Sequence, residues 1–265
     1  MQSIGKTISS PHNEEVKQLS RLVQHSRDRR KDGVMVLEGI HLTQSCLDAA
    51  WPVRRLYLNE QARANTEVLA LLSRLPADCQ PVWLPDGIMA KVSALASPPE
   101  LLAVCARPAP AAPAAEAARI LLEDIQDPGN LGTILRCAAA SGVKEVLLSK
   151  GCVDVYSPKV LRAGMGAHFV LNIHEHADLP QALRHFNGRK LVTHLEGSTS
   201  LYGQDLTGAL ALVFGNEGAG VSPALLALAD ARIRIPMPGH AESLNVAMAA
   251  TVCLFERVRQ LETAA

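Results

Sequence analysis

The chain has 265 residues, 26 basic and 26 acidic, so its formal net charge is zero; this excludes a bulk electrostatic attraction to nucleic acid and leaves only a local patch for any RNA surface. The length allows one large domain or two small ones, and 48% apolar with 3% aromatic residues means a core of Leu, Val, Ile and Ala. Six scattered cysteines without a C-x-x-C pair, no apolar signal core and no run near the roughly 18 residues of a membrane helix predict a cytoplasmic chain with free thiols and no membrane span.

In chain order, Asn13 is a plausible N-cap for a helix over Glu14–His25, with Val16, Leu19, Leu22 and Val23 at helical spacing. Arg27, Arg29, Arg30 and Lys31 form the densest basic cluster and are candidates for RNA binding; a solvated face is the plain alternative. Strands are predicted at Val34–Leu37, Val53–Leu58, Pro81–Leu84 and Leu101–Cys105, and helices at Ile40–Ala49 and Thr66–Leu75. Glu38-Gly39 is a polar turn without an evident reason. Residues 106–118 put three prolines among alanines, which reads as a semi-rigid spacer. The predicted organisation is a small α/β domain over 1–105, a linker over 106–118 and a second domain over 119–265.

After the spacer, strands are expected at Arg119–Glu123, Glu145–Leu148, Lys190–Thr193, Ala209–Phe214 and Ala231–Ile235. Helices are expected at Leu131–Ala140, Pro158–Gly164, Asp178–Phe186, Pro223–Ala229 and Leu244–Leu261. Near-continuous apolar strands alternating with helices predict an α/β fold with a mainly parallel sheet covered on both faces.

Three loops carry the candidate chemistry. The first, Asp127-Pro-Gly-Asn130, breaks a strand and starts a helix, where Asn130 or Thr133 could satisfy free backbone N–H groups. That plain strand-turn-helix reading accounts poorly for Arg136, whose helix face, followed by Cys137 and three alanines, reads as close-packed. The second, Phe214-Gly-Asn-Glu-Gly-Ala-Gly220, lets backbone approach a ligand. It is neither a dinucleotide fingerprint nor a Walker loop, and Glu217 there favours a cationic or neutral ligand over phosphate. The third, Ile235-Pro-Met-Pro-Gly239, is irregular backbone able to bond an adenine edge. Ser243 then resembles an N-cap for the last helix, with Asn245 in its first turn. Lys159 and Arg162, one helical turn apart, could grip phosphates. His174 and His176 lack a third ligand, so no metal is expected.

In order and spacing these three loops resemble the signature motifs of the SpoU/TrmH family of SPOUT RNA methyltransferases. Residues 119–262 carry the resemblance strongly. Residues 13–105 resemble more loosely the substrate-binding domain that precedes it in rRNA-modifying members. The resemblance implies a trefoil knot in the C-terminal domain, S-adenosylmethionine as cofactor, and a homodimer with the active site at the subunit interface. It implies catalytic roles for Asn130, Arg136, Glu217, Ser243 and Asn245. It implies cofactor loops at Leu195, Glu196 and Gly197, at Gly215, Asn216, Glu217 and Gly218, at Ile235, Pro236 and Met237, and at Ser243, Leu244, Asn245 and Ala247.

The implied reaction is in-line attack of a ribose 2′-oxygen on the methyl carbon, for which the protein must chiefly orient the two groups. Arg136 is the implied candidate for removing the hydroxyl proton. Arginine stays protonated in proteins, so a hydrogen bond to the ribose oxygen or a phosphate, with proton loss to water or phosphate, is the chemically easier role. The extra N-terminal domain favours rRNA, 23S rRNA above all, over tRNA. The rivals are a non-catalytic RNA-binding or ribosome assembly factor, which the intact polar set disfavours, and a doubly wound nucleotide enzyme, which the missing phosphate fingerprints disfavour.

Overall fold

The computed structural model describes residues 5–76, 79–93 and 95–264, so the outermost domain limits expected at residues 1 and 265 lie outside the described residues. Two compact units emerge, one of residues 1–108 with 156–169, the other of residues 109–155 with 170–265.

In the first unit the chain runs β1 (Lys6–Thr7), α1 (Glu14–Gln24), α2 (Ser26–Asp32), β2 (Val34–Glu38), α3 (Ile40–Asp48), β3 (Val53–Leu58), α4 (Thr66–Leu72), β4 (Val82–Trp83), α5 (Asp86–Val92) and β5 (Leu101–Ala106). The five strands form a mixed sheet in the order β1-β4-β3-β5-β2. Strand β5 runs antiparallel to β2 and β3. Helix α1 starts where expected: the Asn13 side chain accepts from Glu15 N at 2.9 Å. Its four apolar positions are buried in the core with Val36, Tyr57 and Leu102.

Arg29 does not face an RNA surface. It is 3% exposed, and its guanidinium donates to the carbonyls of Leu22 (2.7 Å) and Val23 (3.0 Å) at the end of α1. Those carbonyls have no partner inside their own helix, so Arg29 is a C-terminal cap. Arg27, Arg30 and Lys31 stay exposed on α2.

In the second unit the described strands are β6 (Arg119–Leu122), β7 (Glu145–Leu148), β8 (Asn172–His174), β9 (Arg189–Thr193), β10 (Thr199–Ser200), β11 (Leu210–Phe214) and β12 (Ala231–Arg234). They form one sheet in the order β10-β12-β9-β11-β6-β7-β8, and every pairing is parallel. The helices after α5 are α6 (Pro128–Ala140), α7 (Pro158–Gly164), α8 (Leu179–Arg184), α9 (Pro223–Leu226) and α10 (Val246–Ala264). Helices α6, α7 and α8 begin with an Asp or Ser cap and a proline in the first two positions. That pattern satisfies an orphan N–H and supplies a pre-set φ. Leu179, Leu183 and Leu225 from α8 and α9 pack on Leu121, Val192, Ala211 and Val213 of the sheet. Part of the Ala/Pro stretch is fixed to the edge strand: Ala111 N donates to Asn172 Oδ1 (2.9 Å) and Asn172 Nδ2 to Ala111 O (3.1 Å).

Helix α7 groups with the first unit, packed against β2. Arg162 is consequently not a phosphate grip. Its guanidinium pairs with the buried Glu38 carboxylate, which also accepts from Ser93 Oγ at 2.9 Å. The polar Glu38-Gly39 turn is thus the anchor for α7. Among the described residues no helix is long and apolar enough to cross a membrane.

Candidate active site

Strands β12, β9 and β11 are neighbours, and the loops leaving their carboxyl ends converge with the start of α10. In a parallel sheet this is where ligands bind. The loops enclose a cavity of about 700 Å³ lined by His194–Glu196, Phe214–Val221, Arg234, Ile235, Met237 and Glu242–Val246, within the size range of small-molecule sites.

The glycine loop is tightly built. A Cβ on Gly215 would lie 2.2 Å from the carbonyl carbon and oxygen of Gly220. Asn216 and Gly220 exchange backbone bonds of 3.0 and 2.9 Å. The Asn216 side chain accepts from Gly218 N and Ala219 N, both at 2.9 Å, and donates to Asp124 O at 2.8 Å. Asp124 itself sits at φ +54°.

Glu217 then reaches the first loop. Its carboxylate accepts from Asn130 Nδ2 (3.0 Å), Asp127 N (3.3 Å) and Gln126 N (3.4 Å). Partial burial pushes its pKa up, but these donors outweigh burial and hold it below the usual carboxylate value. Asn130 is free for this because Asp127, not Asn130 or Thr133, caps α6, accepting from Asn130 N at 2.9 Å. Asn130 Oδ1 in turn accepts from Asn245 Nδ2 at 2.9 Å.

The third loop differs from expectation in one respect. Asn245, not Ser243, caps the last helix: its Oδ1 accepts from Ala247 N (2.9 Å) and Met248 N (3.3 Å). One directed chain of donors therefore runs from the start of α10 through Asn245 and Asn130 to Glu217, joining two of the three motifs to the glycine loop.

Arg136 is exposed, not close-packed, and makes no hydrogen bond or ion pair among the described residues. Its neighbours Leu135 and Ala138 take the buried face of α6. Of the expected cofactor positions, Leu195, Glu196, Gly215, Asn216, Glu217, Gly218, Ile235, Met237, Ser243, Leu244 and Asn245 line the cavity, whereas Gly197, Pro236 and Ala247 stand outside its lining. Sequence reasoning missed Thr193, His194, Arg234, Glu242 and Cys253. Their signal was position, since four of them flank the ends of β9, β12 or the third loop. Arg234 donates to the Ser198 carbonyl and so ties down the loop that carries Leu195. Burial pushes the Cys253 thiol up to about 12, which keeps it protonated.

The lining suits S-adenosylmethionine. Among the described residues, the backbone of 235–244 makes no hydrogen bond and can meet an adenine edge. Phe214, Ile235, Met237 and Leu195 supply apolar wall, and Glu196, Glu217 and Glu242 supply negative charge for a sulfonium cation. Fold and site together define an α/β enzyme that uses S-adenosylmethionine.

Comparison with known proteins gives the family. Residues 117–255 match the SpoU rRNA Methylase family and residues 13–103 the MRM3-like substrate binding domain. The chain is 32% identical to the 23S rRNA (guanosine(2553)-2'-O)-methyltransferase RlmP of Bacillus subtilis, over 94% of this chain and 98% of that protein. It superposes with a TM-score of 0.84 and 29% identity on the SpoU methyltransferase AviRb from Streptomyces viridochromogenes in complex with AdoMet, covering 94% of this chain and 98% of that one. An AdoMet-bound rRNA methyltransferase from Sinorhizobium meliloti gives a TM-score of 0.82 at 29% identity, with 97% and 98% covered. The chain belongs to the SpoU rRNA methylase family; it is an S-adenosylmethionine-dependent RNA 2′-O-methyltransferase preceded by a substrate-binding domain.

Proposed function

We propose that the enzyme methylates a ribose 2′-hydroxyl of 23S rRNA in the cytoplasm, as a homodimer. The observation that carries the reaction is the Asn245–Asn130–Glu217 chain beside the cavity. The cofactor supplies a methyl group on a positively charged sulfur, so the acceptor needs orientation more than activation. The bond between Asn130 and Glu217 ties the first loop to the glycine loop. Asn245 fixes the start of α10 against them, and Ser243 and Leu244 close the wall. Arg136 carries an uncommitted guanidinium, suited to hold the ribose oxygen or the adjoining phosphate while the proton leaves to water or phosphate.

Two features support the choice of substrate and assembly. Residues 13–103 match a substrate-binding domain, and exposed Arg27, Arg30, Lys31 and Lys159 offer local positive charge on the unit that contains it. Helix α10 exposes Met248 (50%) and Phe255 (45%), seven residues apart and so on one face, which suits a second copy of the chain. Methyl-labelled S-adenosylmethionine offered with separate pools of unmodified rRNA and tRNA tests the substrate class. Label in the rRNA pool supports the reading, and label confined to tRNA overturns it.

A further inference from the structure

Met165 follows α7 in the left-handed region, at φ +46° and ψ +46°. A side chain there costs roughly 1–2 kcal/mol relative to a right-handed conformation, and glycine is the usual residue at this helix-ending position. Glycines do stand on either side, at 164 and 166. Yet the strained position carries a large apolar side chain, and that side chain is 49% exposed. Packing therefore gives little in return for the strain.

The backbone beneath Met165 is fixed on every side. Arg162 pairs with buried Glu38. Tyr156 and His168 are buried against each other, their rings 5.7 Å apart. Phe169 meets Trp51 at 6.1 Å. Gly166, at φ +89°, lies so close to α3 that a Cβ would come within 2.8 Å of Ser45 Cβ. All of these contacts lie within the first unit. Met165 is thus a rigidly presented apolar knob. On the preceding helix α7, Lys159 is exposed and makes no hydrogen bond or ion pair among the described residues.

We propose that Met165 is an RNA-contacting residue that packs on an unstacked nucleobase of the substrate, with Lys159 on a neighbouring phosphate. An apolar knob past the end of a helix that carries an uncommitted cation in its first turn fits a partner that has flat apolar faces and regular negative charge, which is what single-stranded RNA presents. Methionine is among the side chains that wedge against or between bases. The proposal rests on the RNA-methyltransferase reading.

Replacement of Met165 separates this role from a structural one, because the two move in opposite directions. Met165→Gly and Met165→Asn both relieve the left-handed strain, so the thermal midpoint rises or holds, and the Kd for S-adenosylmethionine by calorimetry is unchanged. The KM for unmodified 23S rRNA transcript rises about tenfold, near the low end of the effect of losing an aromatic base-stacking side chain, and adding Lys159→Ala raises it further. A wild-type KM in an active, folded Met165→Gly enzyme overturns the proposal. So does a change of oligomeric state by light scattering, which assigns the knob to a second copy of the chain. Failure of the wild-type enzyme to label any rRNA defeats instead the reading on which the proposal rests.

Discussion

Removal of the Glu217 carboxylate by Glu217→Ala tests whether the glycine loop is held in its ligand-binding shape from outside. The carboxylate accepts three hydrogen bonds, at 3.0, 3.3 and 3.4 Å, from residues that precede and open α6. One intramolecular hydrogen bond contributes about 0.5–1.5 kcal/mol net. Two of these are long and the side chain is exposed, so the three together contribute about 1–2 kcal/mol. The loop lines the cavity without contributing to the main core, so the loss falls on loop order more than on global stability. The expected result is a Kd for S-adenosylmethionine raised about 5–30-fold by calorimetry, with a thermal midpoint close to wild type. The pH dependence has a definite sign. The folded-state pKa lies below the ordinary 4.5, so this contribution is fully present above that value and is lost as pH falls through the folded-state pKa. The Ala variant therefore shows a flatter fall of stability in acid. An unchanged Kd in a folded variant would refute the idea that Glu217 organises the loop.

Gly215→Ala places a methyl group 2.2 Å from the Gly220 carbonyl, so the Asn216–Gly220 turn must open; cofactor binding by calorimetry is expected to weaken more than tenfold. Asn245→Ala removes the cap of α10 and the bond to Asn130. A lost cap costs about 1 kcal/mol, which urea denaturation should show, together with a fall in methyl transfer larger than that stability change explains. Arg162→Ala removes the guanidinium that pairs with the buried Glu38 carboxylate. Such a loss costs about 3–5 kcal/mol, and the double variant Glu38→Leu/Arg162→Met should recover most of it in the same denaturation assay.

Much of the fold could be read in the sequence because local signals agreed with one another. Asn13 ahead of the Val16–Leu19–Leu22–Val23 stripe paired a cap with a helical pattern. The apolar runs of β6, β7 and β11 are buried throughout, as parallel strands in the body of a sheet require. Strand β8 was missed because Asn172–His174 is three residues long and only Ile173 is buried. Helix α2 was read merely as a charge run, because its sequence carries almost no apolar residue to mark a face. The knot that the family resemblance implies has no local signature, since threading is a property of the whole path and not of any residue pattern.

The site was legible as a set of motifs but not as a wiring diagram. Asn130, Glu217 and Asn245 lie 87 and 28 residues apart in sequence, and only the fold shows that they form one chain. One misassigned side chain has a long-range partner, and the others make local capping contacts. Arg162 finds Glu38 across 124 residues. Arg29 finds the carbonyls of the preceding helix. Asp127 and Asn245 take capping roles that composition alone gave to their neighbours.

The central claim is that this site moves a methyl group to a ribose oxygen with Arg136 at the acceptor. The direct test is nucleoside analysis of unmodified 23S rRNA after reaction with methyl-labelled S-adenosylmethionine, using wild type and Arg136→Ala side by side. The account predicts label recovered as a 2′-O-methylnucleoside with wild type and absent with Arg136→Ala, while both proteins bind the cofactor with the same Kd. Label recovered as a base-methylated nucleoside, or full transfer by Arg136→Ala, would contradict it.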